Sequence, residues 1–263
     1  MALSIRGLSF SYGAVSVLRG VDVEALPRGS VAALVGPNGS GKSTLFRCLA
    51  GLLPAKTGAA SLDAVDLGAY SPRERSRRVF YLGQDMGAHA ALSVFEIVLL
   101  ARKSLGGGLA IAASPRDVAM TESVIDDLGL RALASRDIGS LSSGQRQLAG
   151  IAQAIVREPD VLLLDEPTSA LDVRRQLEVM ETVLRVSRER RIVTIVAIHD
   201  LSLAARFADT ILLLSDGRIA RAGEPHAVLA DPSVAETYAV GVHLERSRRG
   251  TLLVEPYLER RPH

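Results

Sequence analysis

The chain has 263 residues, 48% of them hydrophobic and only 4% aromatic, with a formal net charge of +2. That is length for one large domain or a core with an inserted lobe, and enough apolar residue to fill it. So small a charge gives no argument for a nucleic-acid binder, and so few aromatics argue against a base-stacking platform. No apolar run reaches the ~18 residues of a membrane span. The start, Met1-Ala2-Leu3-Ser4-Ile5-Arg6, alternates like a strand and unlike a signal peptide. The single cysteine, Cys48, excludes an internal disulfide framework and fits a reducing compartment.

In chain order, Leu3, Ile5, Leu8, Phe10 and Tyr12 mark a half-buried strand. Residues 15–18 and 21–24 predict two short strands, and Pro27-Arg28-Gly29-Ser30 a turn. Val31 to Val35 is an unbroken apolar run, the pattern of a buried parallel strand. Gly36-Pro37-Asn38-Gly39-Ser40-Gly41-Lys42-Ser43-Thr44 follows and fits the phosphate-binding loop G-x-x-x-x-G-K-[ST]. A helix through Ala50 comes next and stops at Gly51. Glycines let successive N–H groups point into one concavity, and the helix N-terminus adds partial positive charge. Lys42 would bring an ammonium to the β- and γ-phosphates, and the Ser43 hydroxyl can ligate Mg²⁺. Only three of the chain's 31 basic residues are lysines, and one stands here.

Residues 59–63 return to the first sheet, and 73–78 make one face of a surface helix. Val79 to Leu82 is a short strand that delivers Gly83 and Gln84 at its end. From about Asp85 to Arg157 the periodicity becomes helical. Ser93-Val94-Phe95-Glu96 is a capping box. Gly106-Gly107-Gly108 is a joint, and Ser114-Pro115 opens a second helix with Val118, Thr121, Val124, Ile125 and Leu128 on one stripe. Ser142 to Gln145 is another capping box, opening a helix through Arg157. The core resumes with the strand Val161 to Leu164, ending in Asp165-Glu166. A charged helix over 173–190 and a β-branched strand over 192–198 follow, the strand ending in His199-Asp200. A hairpin turns at Ser215-Asp216-Gly217-Arg218.

The predicted fold is therefore α/β, with an antiparallel β subdomain and an inserted all-helical lobe, and with its phosphate-binding loop the core resembles the P-loop NTPases of RecA-like type. Its expected parts are residues 1–84, the first part of the nucleotide-binding core, and 85–157, the helical lobe. The second part of the core spans 158–240, and a short C-terminal strand pair with a basic tail spans 241–263.

Four chemical groups each follow a predicted buried strand: the P-loop, Gln84, Asp165-Glu166 and His199. In parallel neighbours they converge at one sheet edge, where open α/β sheets place their ligands. Asp165 would hold Mg²⁺ through water, and Glu166 would orient or deprotonate the attacking water. Gln84 would ligate Mg²⁺ or the water, and His199 would hydrogen-bond the γ-phosphate. Each has a plainer reading: an N-cap for the carboxylates, a turn for Gln84, a satisfied core histidine for His199. The segment Leu141-Ser142-Ser143-Gly144-Gln145 puts serine hydroxyls and a glycine at a helix N-terminus, an anion site.

With these residues together the chain resembles the ATP-binding subunit of ABC transporters over nearly its whole length. Tyr12 stands where the family stacks an aromatic on adenine, and Gly36 to Thr44 match Walker A. Gln84 matches the Q-loop, Leu141 to Gln145 the signature motif, and Leu164-Asp165-Glu166-Pro167 the end of Walker B. Ser169-Ala170-Leu171-Asp172 matches the D-loop and His199 the switch histidine. Ser143 departs from the family's LSGGQ by replacing the first glycine, and Tyr81-Leu82-Gly83-Gln84 departs from the proline often found before the glutamine. The resemblance implies an ATPase using ATP and Mg²⁺ that pairs head to tail with a second copy. Each signature motif then caps the ATP on the partner's P-loop. It further implies two separate integral membrane permease subunits and, indirectly, a substrate-binding protein, with the chain peripheral on the cytoplasmic face of the cell membrane.

Finer features resemble the importers of iron-siderophores, haem and cobalamin. They are Leu92 to Arg102, His199 to Asp209, and the strand pair over 242–245 and 251–254. Arg246, Arg248, Arg249, Arg260 and Arg261 form a basic tail, read as a solvated turn and end or as a contact for anionic lipid. Rival readings are an importer ATPase for another substrate, a soluble ABC ATPase acting on ribosomes or DNA, and a scaffold that binds ATP without turnover.

Overall fold

The computed structural model of the chain describes residues 2–83, 92–104, 113–248 and 250–258. Gln84, the glycines at 106–108, Arg249, Arg260 and Arg261 lie outside the described residues.

The chain opens with two long antiparallel strands, β1 (Ala2–Tyr12) and β2 (Val15–Pro27). Alternation buries Leu3, Ile5, Leu8 and Phe10 of β1. The two short strands expected over 15–18 and 21–24 are one strand. Leu8 pairs with Val21 and Ser9 with Arg19, so Gly20 is the extra residue of a bulge, at φ 78°. β3 (Val31–Val35) is buried throughout and leads through the P-loop into α1 (Lys42–Ala50). β4 (Thr57–Leu62) pairs with β1, and β5 (Val65–Asp66) with β4. α2 (Pro72–Arg78), capped by Ser71 and Glu74, precedes β6 (Val79–Leu82).

α3 (Val94–Lys103), α4 (Pro115–Asp127) and α5 (Ser143–Val156) each begin at a reciprocal capping box. The boxes are Ser93 with Glu96, Ser114 with Asp117 and Ser142 with Gln145. Each satisfies two of the orphan N–H groups of a helix start. Then come β7 (Val161–Asp165), α6 (Val173–Arg190) and β8 (Val193–Ala197). α7 (Leu201–Phe207), β9 (Thr210–Ser215) and β10 (Arg218–Gly223) follow. α8 (Pro225–Leu229) and α9 (Pro232–Tyr238) lead to the final hairpin of β11 (Gly241–Arg246) and β12 (Leu252–Tyr257).

The central sheet has the order β10-β9-β3-β8-β7-β6. Its strands are parallel except β10, which returns antiparallel beside β9. The first sheet has the order β2-β1-β4-β5. Helix α1 lies between the two sheets: Leu45, Phe46 and Leu49 join one core with Leu3, Leu18 and the Leu34, Leu163 and Ile195 face of the central sheet. The opposite face, with Val35, Leu164 and Val196, packs on α3 to α9. A wholly buried sheet explains why its strands read as continuous apolar runs. Among the described residues no helix is long and apolar enough to cross a membrane.

Candidate nucleotide-binding and hydrolysis site

The parallel register of β6, β7, β8 and β3 sets their C-terminal ends side by side. The P-loop leaves β3 there and packs tightly. A Cβ on Gly36 would lie 2.2 Å from the Leu214 carbonyl oxygen, so no other residue fits. Lys42 is 6% exposed, and its ammonium donates to the carbonyls of Gly36 at 2.8 Å and Pro37 at 3.1 Å. Burial lowers its pKa, with the charges of Glu166 and Asp165 opposing. Asn38, Gly39, Gly41, Lys42, Ser43 and Thr44 line an open cleft of about 680 Å³ together with Val17, Glu166 and His199. Ser40 is buried behind it, and its hydroxyl has no hydrogen-bond partner. Pro37 is half-buried and Gly36 buried. Tyr12 is 47% exposed and stands edge-on to Phe10, with ring centroids 4.8 Å apart.

Asp165 ends β7 and is 3% exposed. Its Oδ2 accepts from the Tyr81 hydroxyl at 3.0 Å, while Oδ1 is buried without a partner. Burial raises the Tyr81 pKa, the Asp165 charge adding to it. Arg47 of α1 is raised in turn by the hydroxyls of Tyr81 and then Tyr12. Glu166 leaves the strand in the left-handed region, at φ 54°, a conformation costing a non-glycine residue about 1 kcal/mol or more. Its N–H still bonds the Ala197 carbonyl at the end of β8, 3.2 Å away. The bend brings its Oε1 into contact with Nε2 of His199.

The plainer readings of the two carboxylates and of His199 do not describe what is built. The His199 side chain is 42% exposed, so it is no core histidine. The helix after Asp165-Glu166 is capped by Asp172, whose side chain accepts from the Arg175 N–H at 2.9 Å.

Ser142 and Ser143 stand exposed at the start of α5, and none of residues 141–145 lines the P-loop cleft. Leu141 is buried, and its carbonyl accepts from Arg146. A Cβ on Gly144 would lie 2.9 Å from the Ala170 carbonyl oxygen and 3.0 Å from Leu171 Cδ2, so this glycine packs directly on Ala170 and Leu171. Ser169 and Ala170 are exposed, Leu171 half-buried. Sequence reasoning missed the link from Gln147, whose side-chain amide donates to the Glu166 carbonyl at 2.7 Å, tying α5 to that bend. A glutamine at a half-buried helix position was its one available signal. The Tyr81 contact was also missed.

Three groups thus come together: a phosphate-shaped loop with a buried ammonium, a buried carboxylate with one free oxygen, and a carboxylate paired with an imidazole. Such an edge can bind a polyphosphate, hold a cation against it and activate a water. Among the described residues no cluster of three or more His, Cys, Asp or Glu side chains could hold a metal alone.

Comparison with known proteins agrees with this chemistry. Residues 18–169 match the family model described as ABC transporter. A hemin import ATP-binding protein of Rhodopseudomonas palustris is 39% identical over 97% of this chain and 95% of its own length. An uncharacterised ABC transporter ATP-binding protein of Methanocaldococcus jannaschii is 36% identical over 94% of this chain and 95% of its own. A solved inward-facing structure, described as a metal-chelate type ABC transporter, superposes with a TM-score of 0.81. It shares 27% identity and covers 98% of both chains. The chain belongs to the ABC transporter family, as one of its ATP-hydrolysing, ATP-binding subunits.

Proposed function

We propose that this chain is the Mg²⁺-dependent ATPase of an importer for a metal chelate: an iron-siderophore, haem or cobalamin. The observation that carries the ATPase chemistry is the single cleft lined by Lys42, Ser43, Glu166 and His199. Residues 36–44 bind the triphosphate, with Tyr12 against adenine. As phosphate enters, the Lys42 ammonium exchanges its P-loop carbonyls for phosphate oxygens. Ser43, Gln84 and Asp165 would hold Mg²⁺, and the unpartnered Oδ1 of Asp165 fits that use. When bound, the ion would offset the negative charge of the phosphate groups. Glu166 accepts a proton from the attacking water, and His199 holds both that carboxylate and the γ-phosphate.

Two copies pair head to tail. What supports this is that residues 141–145 present anion-binding chemistry to solvent, away from the chain's own P-loop cleft. Leu141, Ser142, Ser143, Gly144 and Gln145 of one copy then close the ATP of the other. Ser169, Ala170, Leu171 and Asp172 carry the contact across the interface. The dimer drives two permease subunits at the cytoplasmic face of the membrane, and a substrate-binding protein delivers the cargo. The hemin importer subunit and the metal-chelate transporter among its relatives support that cargo class.

Glu166→Gln tests the reading. It removes the base and keeps the shape, so turnover falls by about 10²- to 10⁴-fold. ATP should then accumulate and drive the variant to a dimer on size-exclusion chromatography. A variant that stays monomeric with ATP would refute either the paired mechanism or the role of Glu166. Cargo is tested by co-purification from membranes with the permease, followed by ATPase assays with siderophore, haem or cobalamin complexes.

A further inference from the structure

Among the described residues the Tyr81 hydroxyl is the one side-chain partner of Asp165, and neither ATP binding nor water activation uses it. Its placement follows from register. β6 and β7 are parallel with Tyr81 opposite Leu163, and Asp165, two residues on, shares Leu163's face. Tyr81 therefore lies diagonally beside Asp165, on the side of the sheet that α1 covers. Its ring stands edge-on to Phe46 of α1, with centroids 6.2 Å apart. The hydroxyl reaches Asp165 Oδ2 at 3.0 Å. The hydroxyl is the donor in that bond, so its proton is committed to the carboxylate.

Gly83 belongs to the same arrangement. A Cβ there would lie 3.2 Å from the Tyr81 hydroxyl oxygen, tighter than ordinary van der Waals contact. The missing side chain thus leaves the hydroxyl its place. This gives the glycine before Gln84 a physical reason that the strand alone does not.

We propose that Tyr81 is a positioning residue for the metal: its hydroxyl takes up one oxygen of the buried Asp165 carboxylate and fixes the other, Oδ1, for the cation that accompanies the nucleotide. A buried carboxylate with one committed oxygen has lost its rotational freedom about the last side-chain bond. Its free oxygen is pre-set and gives up no hydrogen bond when a hydrated cation arrives. The proposal rests on the nucleotide reading above.

Tyr81→Phe removes the hydroxyl and keeps the ring against Phe46. Wild type and variant are each loaded with a non-hydrolysable ATP analogue, and Mn²⁺ is titrated in by electron paramagnetic resonance. Analogue affinity without metal should stay within about twofold of wild type, since the P-loop is untouched. The Mn²⁺ dissociation constant of the complex should rise by about tenfold, the usual scale for a lost partner of a metal-binding group. Turnover should fall at low Mg²⁺ and recover at high Mg²⁺. An unchanged Mn²⁺ constant would overturn the proposal. So would a metal-free affinity that falls in step with it, because the hydroxyl would then be supporting the fold alone. Failure of the wild-type chain to bind the analogue at all would instead defeat the nucleotide reading.

Discussion

Two places in this chain offer chemistry for a phosphate, and they are built in opposite ways. The P-loop edge is walled by the chain itself: Lys42 and Asp165 are 6% and 3% exposed. The two sheets enclose the helix behind the loop. The start of α5 is open, with Ser142 and Ser143 exposed and the neighbouring Ser169 and Ala170 exposed as well. The first place has its ammonium desolvated and its carbonyl partners fixed before any ligand arrives, at an electrostatic cost already met by folding. The second has only a capped helix end in water, which binds anions weakly until something excludes the solvent. The enclosed place can bind a nucleotide alone, whereas the open one gains strength only when a second surface covers it.

Lys42→Ala tests the enclosed place most severely. It removes the only buried cation lining the cleft among the described residues, so ATP affinity should fall by more than about 100-fold in calorimetry, as loss of charge-assisted bonds requires. The melting temperature should hold, because a desolvated ammonium leaves with its cost. Near-normal ATP affinity in that variant would mean the loop is not the phosphate site.

Ser142→Ala probes the open place with a smaller effect. It breaks the capping box of α5 and should cost about 1 kcal/mol in urea unfolding. ATP affinity of the isolated chain should not change, since Ser142 does not line the cleft. ATPase activity should drop severalfold under conditions where dimers form. A loss of monomer affinity instead would show that the two places are not independent.

Much of the enclosed place was legible in the sequence because burial writes itself as unbroken apolar runs. Val31 to Val35 and Val161 to Leu164 are such runs, and the chemistry stands at their ends. The capping boxes at Ser93 and Ser142 were legible because they are local, spanning four residues each. What escaped was set by register between strands far apart in sequence. Tyr81 reads as one more apolar residue until β6 is laid beside β7. The Gln147 contact needs α5 to pass under the Glu166 bend, and the bend itself is a left-handed residue that no glycine announced. Helices α8 and α9 were missed although each has proline first and an acidic cap before it, because five and seven residues carry too little periodicity to see.

The finest test of the contrast uses thiols. Cys48 lies on the inward face of α1, 2% exposed, and burial pushes its thiol up to about 11, with Arg75 opposing. The thiolate is the reactive form, so at pH 8 native Cys48 has almost none of it. Above the unfolded value near ~8.5 the unfolded chain has released this proton while the native chain keeps it. Stability from this group is therefore complete below that value and is lost as pH rises toward about 11. Cys48→Ala should flatten the alkaline fall in urea midpoints between those limits. A cysteine placed by Ser143→Cys on that background is exposed at a helix N-terminus, where thiol pKa falls. Under native conditions at pH 8 it should react with a thiol reagent about 100-fold or more faster than Cys48 does in the wild-type chain. Equal rates would mean that the core behind the P-loop opens as readily as the bare end of α5, and the distinction between a self-walled site and an open one would fail.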